Sequence, residues 1–486
     1  MDAQMILEIR PDLRRFLRQF DDCFGRSNTR RYLPVYIQGQ LSNLPRKSLE
    51  PMADAAGIPS RNLQEFLSLF SWDQNRMRGH LQQYLARRHS HPDSVGVIDE
   101  TSFVKKGDQT ACVQRQYCGA VGKKENCVVS VHLGYATPDF FTLIDGELYL
   151  PQDTWNQDRD RCRKAGIPDT VIFRTKPQIA LEQLERATAN GLRFAWLTFD
   201  EFYGRSGPFL RALDQRGQNY VAEVPVDTRF WTRCPDLLYQ ERRGNRSPGR
   251  QKRYPRLKVK NNPPVEVRHI LTYSPRLRKQ AWKTYHVKDG RKGPMVWRAK
   301  HLMVWPADEN GLPTRPHHLV IAQNLAEPAE VKYFVSNAPE STPVEALLRV
   351  AFTRWTIERA FEDTKTELGM DHFEVRQYRS IQRHLLLTCV SHVFLSEFCQ
   401  KHRGGKSPLD RLPGSNGGGK SGSIVDCGPA LFPEVRPGDQ RQVGRHPAAK
   451  RQGRAIPQTQ DESKSTCDRY LAQRINPMSL WSCIAL

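Results

Sequence analysis

Two apolar runs in this chain stop on acids: GVIDET carries Asp99 at its end, and WLTFDEFYG carries Asp200. Strand ends that open on a common crevice are where α/β sheets build sites. Two aspartates converging there, with an acid from a nearby helix, make an all-oxygen pocket for hard divalent cations. Mg²⁺ suits such carboxylates, keeps several waters and takes its remaining ligands from substrate phosphates. Two such ions about 4 Å apart activate the attacking oxygen and stabilise the leaving one in an in-line displacement. Either aspartate alone has an ordinary alternative as a turn-former or helix cap. Glu100 and Glu201 adjoin them as competing candidates. Strand neighbours point to opposite faces, so one residue of each pair is expected in the site.

The helix acid is sought in TRWTIERAFEDTK, residues 353–365, where Arg354, Glu358, Glu362 and Lys365 follow at intervals of four, four and three. Residues three and four apart share a helix face, so all four line one side. Val350, Ile357, Phe361 and Leu368 run beside them and are expected to face a core. Ordinary surface ion pairs would explain the charges too, at about 0.3 kcal/mol each.

The elements that must position these residues follow from the hydrophobic pattern. Residues 1–90 read as helical: a helix around 48–56, a stop at Gly57, and Ser60 as the N-cap of the next helix outline a helix-turn-helix. From Ser94 to about 225 the pattern is that of a mixed α/β core, with a helix near 177–190 between strands. Residues 226–335 read as a β-rich insertion, in which VEVRHILTY, AKHLMVWP and HHLVIAQN look like strands. Its basic loop, with Arg242, Arg243, Arg246, Arg250, Lys252 and Arg253, is a candidate grip on a DNA backbone. Residues 336–402 then give one long helix capped by Thr342, with Pro343 in its first turn and Gly369 after it, and an all-round apolar helix near 381–400. From 403 to 486 the chain is rich in Gly, Pro, Ser and Arg without periodicity, and reads as a disordered tail.

A net charge of +22 over 486 residues calls for a polyanionic partner, and nucleic acid is the commonest. No run approaches the roughly 18 apolar residues of a membrane span, and the N-terminus lacks the pattern of a signal peptide. An intracellular, cytoplasmic protein is expected. The 11 cysteines are odd in number and scattered, and Cys112, Cys118 and Cys127 lack zinc-site spacing, so they are read as packed thiols. GSNGGGKS, residues 414–421, satisfies the phosphate-loop pattern, but neither the strand before it nor the helix after it is present. Nucleotide binding there is rejected.

The strings RWTIERAFEDTKTELGMDHFEVRQY, GVIDETSFVKKG, RQYCGAVGKKENC, LYLPQDTW, FRTKP and DEFYG resemble the DDE transposases of the insertion-sequence 701 group, related to the insertion-sequence 4 superfamily. The resemblance spans about residues 10–400. It implies an RNase H-like catalytic core interrupted by the β-rich insertion, and 158 positions separate Asp200 from Glu358, room enough for one. The superfamily's helix signature is Tyr, two residues, Arg, three residues, Glu, six residues, Lys. Arg354, Glu358 and Lys365 fit it, while Ala351 stands at the tyrosine position. The resemblance therefore implies Asp99, Asp200 and Glu358 as catalytic metal ligands for two Mg²⁺ ions, with Mn²⁺ as substitute. Arg354 and Lys365 become phosphate contacts, and Glu362 a surface acid.

It further implies phosphoryl transfers without a covalent enzyme intermediate, acting on the terminal inverted repeats and on target DNA, in a homodimer at a bacterial nucleoid. Two other classes share these features: a non-catalytic, transposase-derived DNA-binding protein or repressor, and an RNase H-like nuclease without strand joining. The carboxylate set favours the transposase.

Overall fold

The computed structural model describes residues 3–240, 254–290 and 293–402. The basic-loop candidates Arg242, Arg243, Arg246, Arg250, Lys252 and Arg253, and the tail from 403, lie outside the described residues.

One mixed sheet organises the chain. Its first strands are β1 (Val95–Val104), β2 (Gln114–Cys118), β3 (Lys123–Ala136) and β4 (Phe141–Leu148), joined as antiparallel neighbours around β3. On the other side of β1 lie β5 (Trp196–Phe199) and β6 (Tyr220–Glu223), and these three run parallel. The short strands β7 (Arg229–Phe230), β8 (Leu237–Leu238), β9 (Arg256–Leu257) and β10 (Val265–Glu266) pair off the main sheet. β11 (Lys283–Gly290), β12 (Gly293–Val304), β13 (His317–Asn324) and β14 (Val331–Ser336) extend it antiparallel beyond β6. The strands of 226–335 thus continue the sheet that holds Asp99.

The N-terminal helices are α1 (Ala3–Leu17), α2 (Ser27–Arg30), α3 (Tyr32–Leu41), α4 (Leu49–Ala55), α5 (Ser60–Ser68) and α6 (Gln74–Arg88). Gly57 ends α4 at φ +65°, where its N–H donates to Asp54 O (3.0 Å) and that of Ile58 to Ala53 O (3.0 Å). That pairing satisfies the last carbonyls of the helix and needs the left-handed residue. Ser60 is not the N-cap of α5. Pro59 occupies that place without a side-chain bond, and Ser60 opens the first turn. Asp73 does cap α6, accepting from Asn75 and Arg76 N–H.

Along the chain follow α7 (Arg159–Lys164), α8 (Lys176–Ala189), α9 (Glu201–Gly204), α10 (Gly207–Gln215), α11 (Val267–Tyr273) and α12 (Pro275–Lys279). After them come α13 (Val344–Thr353), α14 (Trp355–Leu368) and α15 (Tyr378–His402). α11 corrects the strand expected over VEVRHILTY. Only Val265–Glu266 is extended, and Val267 and Ile270, three apart, are buried as a helical face.

α15 lies between β4 and helices α1, α3, α5 and α6, which is why it is apolar nearly all round. The Arg383 guanidinium donates to the carbonyls of Phe66, Leu67, Phe70 and Trp72, closing the C-terminal end of α5. The Tyr36 hydroxyl meets His384 Nδ1 at 2.7 Å. The N-terminal helices therefore share one buried core with the sheet. Cys112, Cys118 and Cys127 are buried free thiols.

The single long helix expected over 343–368 is two helices. Pro343, not Thr342, holds the N-cap position of α13, without a side-chain bond. At Arg354 the bonding tightens: its N–H reaches Ala351 O (3.3 Å) and Ile357 N–H reaches Arg354 O (3.1 Å). Phe352 and Trp355, on either side of the break, both pack on Trp297 of β12. Gly369 ends α14 in the left-handed region, φ +67°. Val350, Ile357, Phe361 and Leu368 are all buried, as the spacing requires.

Candidate active site

In the parallel pairing of β1 with β5, Ile98 faces Phe199, so Asp99 and Asp200 continue adjacent strands at one level. β5 and β6 pair Phe199 with Ala222, which brings Glu223 to that same level. Three acids thus stand in a row on three parallel strands. Glu223 was missed in the sequence: in NYVAEVP the acid is followed by Val224, whereas each aspartate is followed by a second acid.

Asp200 is a helix cap as well as a member of this row. Its Oδ1 accepts from the N–H of Phe202 (3.0 Å) and Tyr203 (3.4 Å) at the head of α9, so capping does not use Oδ2. Asp99 likewise commits Oδ1 to the Glu100 N–H (2.8 Å). Gly204 lets α9 sit down on β6, because a Cβ there would lie 1.9 Å from Glu223 O.

Arg354, at the helix break, reaches into this row. Its Nη1 lies 2.7 Å from Glu358 Oε1 and 3.7 Å from Asp99 Oδ2, and its Nε lies 3.5 Å from Glu223 Oε2. Glu223 is also paired with Lys332 of β14 at 2.5 Å. One guanidinium therefore links the acid of α14 to the strand-end acids. Lys365 does not join them. It donates to Ser102 O at 3.3 Å and lies over the Phe103 ring. Glu362 is an exposed acid paired with Arg359 (3.4 Å).

Glu100 departs from the expectation that only one residue of each pair approaches the site. Its carboxylate is paired with Lys176 at 2.5 Å, yet it is close enough to Asp200 to be the second cause of that group's upward shift. Asp200 itself lies just past the end of β5. Glu201 is exposed, and partial burial and the Glu223 charge raise its carboxyl above the usual range.

Burial, then Asp200 and Glu100, push the Asp99 carboxyl up to about 8 against the pull of Arg354. Burial and Glu100 push Asp200 up to about 6. The arginine responds in kind: burial lowers its pKa, but Glu358, Glu223 and Asp99 raise it by more. Carboxylates crowded enough to hold protons near neutrality are short of positive charge, and their all-oxygen chemistry fits a hard divalent cation. Asp99, Asp200 and Glu358 do not all lie within 4.8 Å of one another; among the described residues the one such group is Asp22, Cys23 and His80. That group suits a cation poorly, since burial and neighbouring acids push the Cys23 thiol up to about 12 and Arg76 lies 3.9 Å from Asp22.

A pH dependence follows. Asp99 binds its proton more tightly folded than unfolded, so its contribution to stability is complete below about pH 4 and is lost as pH rises through about 8. Asp99→Asn is expected to raise the thermal midpoint of the metal-free protein most at pH 8.5 and by only about a quarter to a third as much at pH 5, where the loss has just begun. The gain should be a few kcal/mol, at about 1.4 per pKa unit. Equal midpoints at both pH values, read by thermal denaturation, would contradict the crowding.

Strand-end carboxylates joined through an arginine to a helix acid make up the candidate site. The family model of the DDE superfamily endonucleases matches residues 19–294, more than half of the 486, and the chain belongs to that superfamily. Membership implies dependence on a divalent metal. The matched span contains Asp99, Asp200 and Glu223 and ends before α14. The chain is also 31% identical, over 197 residues, to the probable transposase for insertion sequence element IS701 of Microchaete diplosiphon. That alignment covers 40% of this chain and 48% of the relative, so the chain spans about half the length of the relative it matches. No described helix is long and apolar enough to cross a membrane.

Proposed function

We propose that this chain is the transposase of an insertion sequence, cutting DNA at transposon ends and joining the freed strand to target DNA. The observation that carries the reading is the row Asp99, Asp200 and Glu223 linked through Arg354 to Glu358. Its similarity to the IS701 transposase and its charge of +22 support a DNA substrate.

Asp99, Asp200 and Glu358 would hold two Mg²⁺ ions, or Mn²⁺ in their place. Bound there, the metal supplies an activated attacking oxygen and neutralises the leaving one. Arg354 meanwhile compensates the carboxylates and stands ready to meet a substrate phosphate. Lys365 on the same helix offers a second phosphate contact, after releasing Ser102 O. Asp200 is held in place by its cap on α9, and Glu223 by Lys332. An RNase H-like core formed by 91–225 and 336–402, interrupted by 226–335, accommodates this arrangement. Residues 1–90 would add a DNA-docking surface through α4 and α5, and the loop from Arg242 to Arg253 a backbone grip. Acting on two transposon ends calls for a homodimer, at the nucleoid of a bacterial cytoplasm.

The test uses labelled duplexes that carry the terminal inverted repeats flanking the gene, incubated with the protein with and without Mg²⁺ or Mn²⁺. Metal-dependent nicks at the repeat boundary are expected. Specific binding without nicks would replace this reading with that of a non-catalytic DNA-binding protein.

A further inference from the structure

Lys47 is only 4% exposed, although lysine is almost never fully buried without a partner. It stands in the loop between α3 and α4, one position before Ser48, which holds the N-cap position of α4. Its ammonium donates to Glu367 O in the last turn of α14, and its own N–H donates to His372 Nδ1 at 3.0 Å. Gly369, which ends that helix, lies so close that a Cβ there would stand 2.6 Å from Lys47 Cβ. Burial pushes the ammonium down to about 8 against the pull of Glu367, so it is still charged at neutral pH. The neighbouring Arg46 makes a different contact, an exposed pair with Glu374 at 2.5 Å.

The last carbonyls of a helix have no partner within it, and a cation there meets both them and the negative end of the helix dipole. Along α14 the buried residues Ile357, Phe361 and Leu368 press sideways on the core. Apolar contacts are non-directional and tolerate a small slide, whereas a hydrogen bond to a main-chain oxygen has a narrow range of length and angle. The bond from Lys47 therefore fixes a point along the helix axis. Glu358 lies nine positions before Glu367, which is about 13 Å up the same helix. At the opposite end Arg354 is bonded to the carboxylates themselves, so Lys47 is a grip on α14 from outside the site.

Resting on the function proposed above, we infer that Lys47 is a positioning residue: its bond to Glu367 O sets where α14 stands along its axis, and hence how Glu358 meets Asp99 and Asp200. It touches neither metal nor substrate. The loop that leads into α4 thereby registers the catalytic helix against the N-terminal helices.

The experiment follows Mn²⁺ binding to the DNA-free protein, read from the electron paramagnetic resonance of the free ion, beside binding and nicking of end-repeat duplexes. Lys47→Met keeps the length of the side chain and removes the donor. It is expected to weaken Mn²⁺ binding about tenfold and to slow nicking about a hundredfold, with DNA affinity changed by less than about twofold. Gly369→Ala, which keeps the ammonium but crowds it, should show the same split. Arg46→Ala, one position away, should bind Mn²⁺ and nick as wild type does. Leu81→Ala, on the buried face of α6, lowers the thermal midpoint by leaving a cavity and should keep wild-type Mn²⁺ affinity below that midpoint. The inference is overturned if Lys47→Met or Gly369→Ala, folded, binds Mn²⁺ as wild type does, or if Leu81→Ala loses as much affinity. It is overturned as well if wild type binds no Mn²⁺. A wild type that shows the Mn²⁺ split but never nicks would remove the proposed function and leave the role of Lys47 standing.

Discussion

Glu358→Gln should abolish metal-dependent strand cleavage, by about a thousandfold or more, while DNA affinity changes little. The substitution keeps shape and removes one charge from a half-exposed side chain whose contact in the fold is Arg354. α14 is held by Ile357, Phe361 and Leu368 on its other face, so the helix does not depend on this carboxylate. Removing a charge that acts at the reacting phosphate costs far more in rate than in binding, because binding is spread over many phosphate contacts. Glu362→Gln, one turn along and exposed, is the control and should cleave normally. Cleavage assays paired with anisotropy on the same duplexes separate the outcomes. Loss of binding in Glu358→Gln, or retained cleavage, would remove Glu358 from the site.

Gly204→Ala should be nearly as damaging by a different route. The added Cβ would meet Glu223 O at 1.9 Å and Glu223 C at 3.1 Å. Backbone atoms of a paired strand cannot step aside as a side-chain tip can, so α9 must lift from β6. Overpacking of that kind costs about 3 kcal/mol. The lift also moves the helix that Asp200 caps, so cleavage should fall even where the protein remains folded. Gly119→Ala is the matched control, since nothing lies within 4 Å of its Cβ position. Denaturation midpoints together with cleavage rates test this; equal stability of the two variants would mean that the close approach does not govern the site.

The aspartates were legible because an apolar run ending on an acid is a local signal, and the parallel register did place them side by side. Glu223 ends the third parallel strand, but in NYVAEVP Val224 follows it, so the run does not stop on the acid. The helix face of Arg354 and Glu358 was legible from spacing alone, whereas the break at Arg354, whose flanking Phe352 and Trp355 pack on Trp297 more than 50 positions away, was not. Nor does spacing show that Arg354 links the two carboxylate groups. The strand misread over 265–273 has a similar origin. Val265, Glu266 and Val267 alternate as a strand would, and burial of Val267 and Ile270 decides for the helix. Glu100 shows the limit of the alternation rule: it lies inside β1 beside Asp99, yet its charge is felt at Asp200.

The most direct test of the central claim is to locate the metal on the chain itself. Fe²⁺ replaces Mg²⁺, ascorbate and peroxide release hydroxyl radicals at the bound ion, and the backbone cuts are mapped by mass spectrometry. Cuts clustered at Asp99, Asp200 and Glu358, suppressed by excess Mg²⁺, are the predicted result. Cuts at Asp22, Cys23 and His80, or none that Mg²⁺ suppresses, would contradict the account.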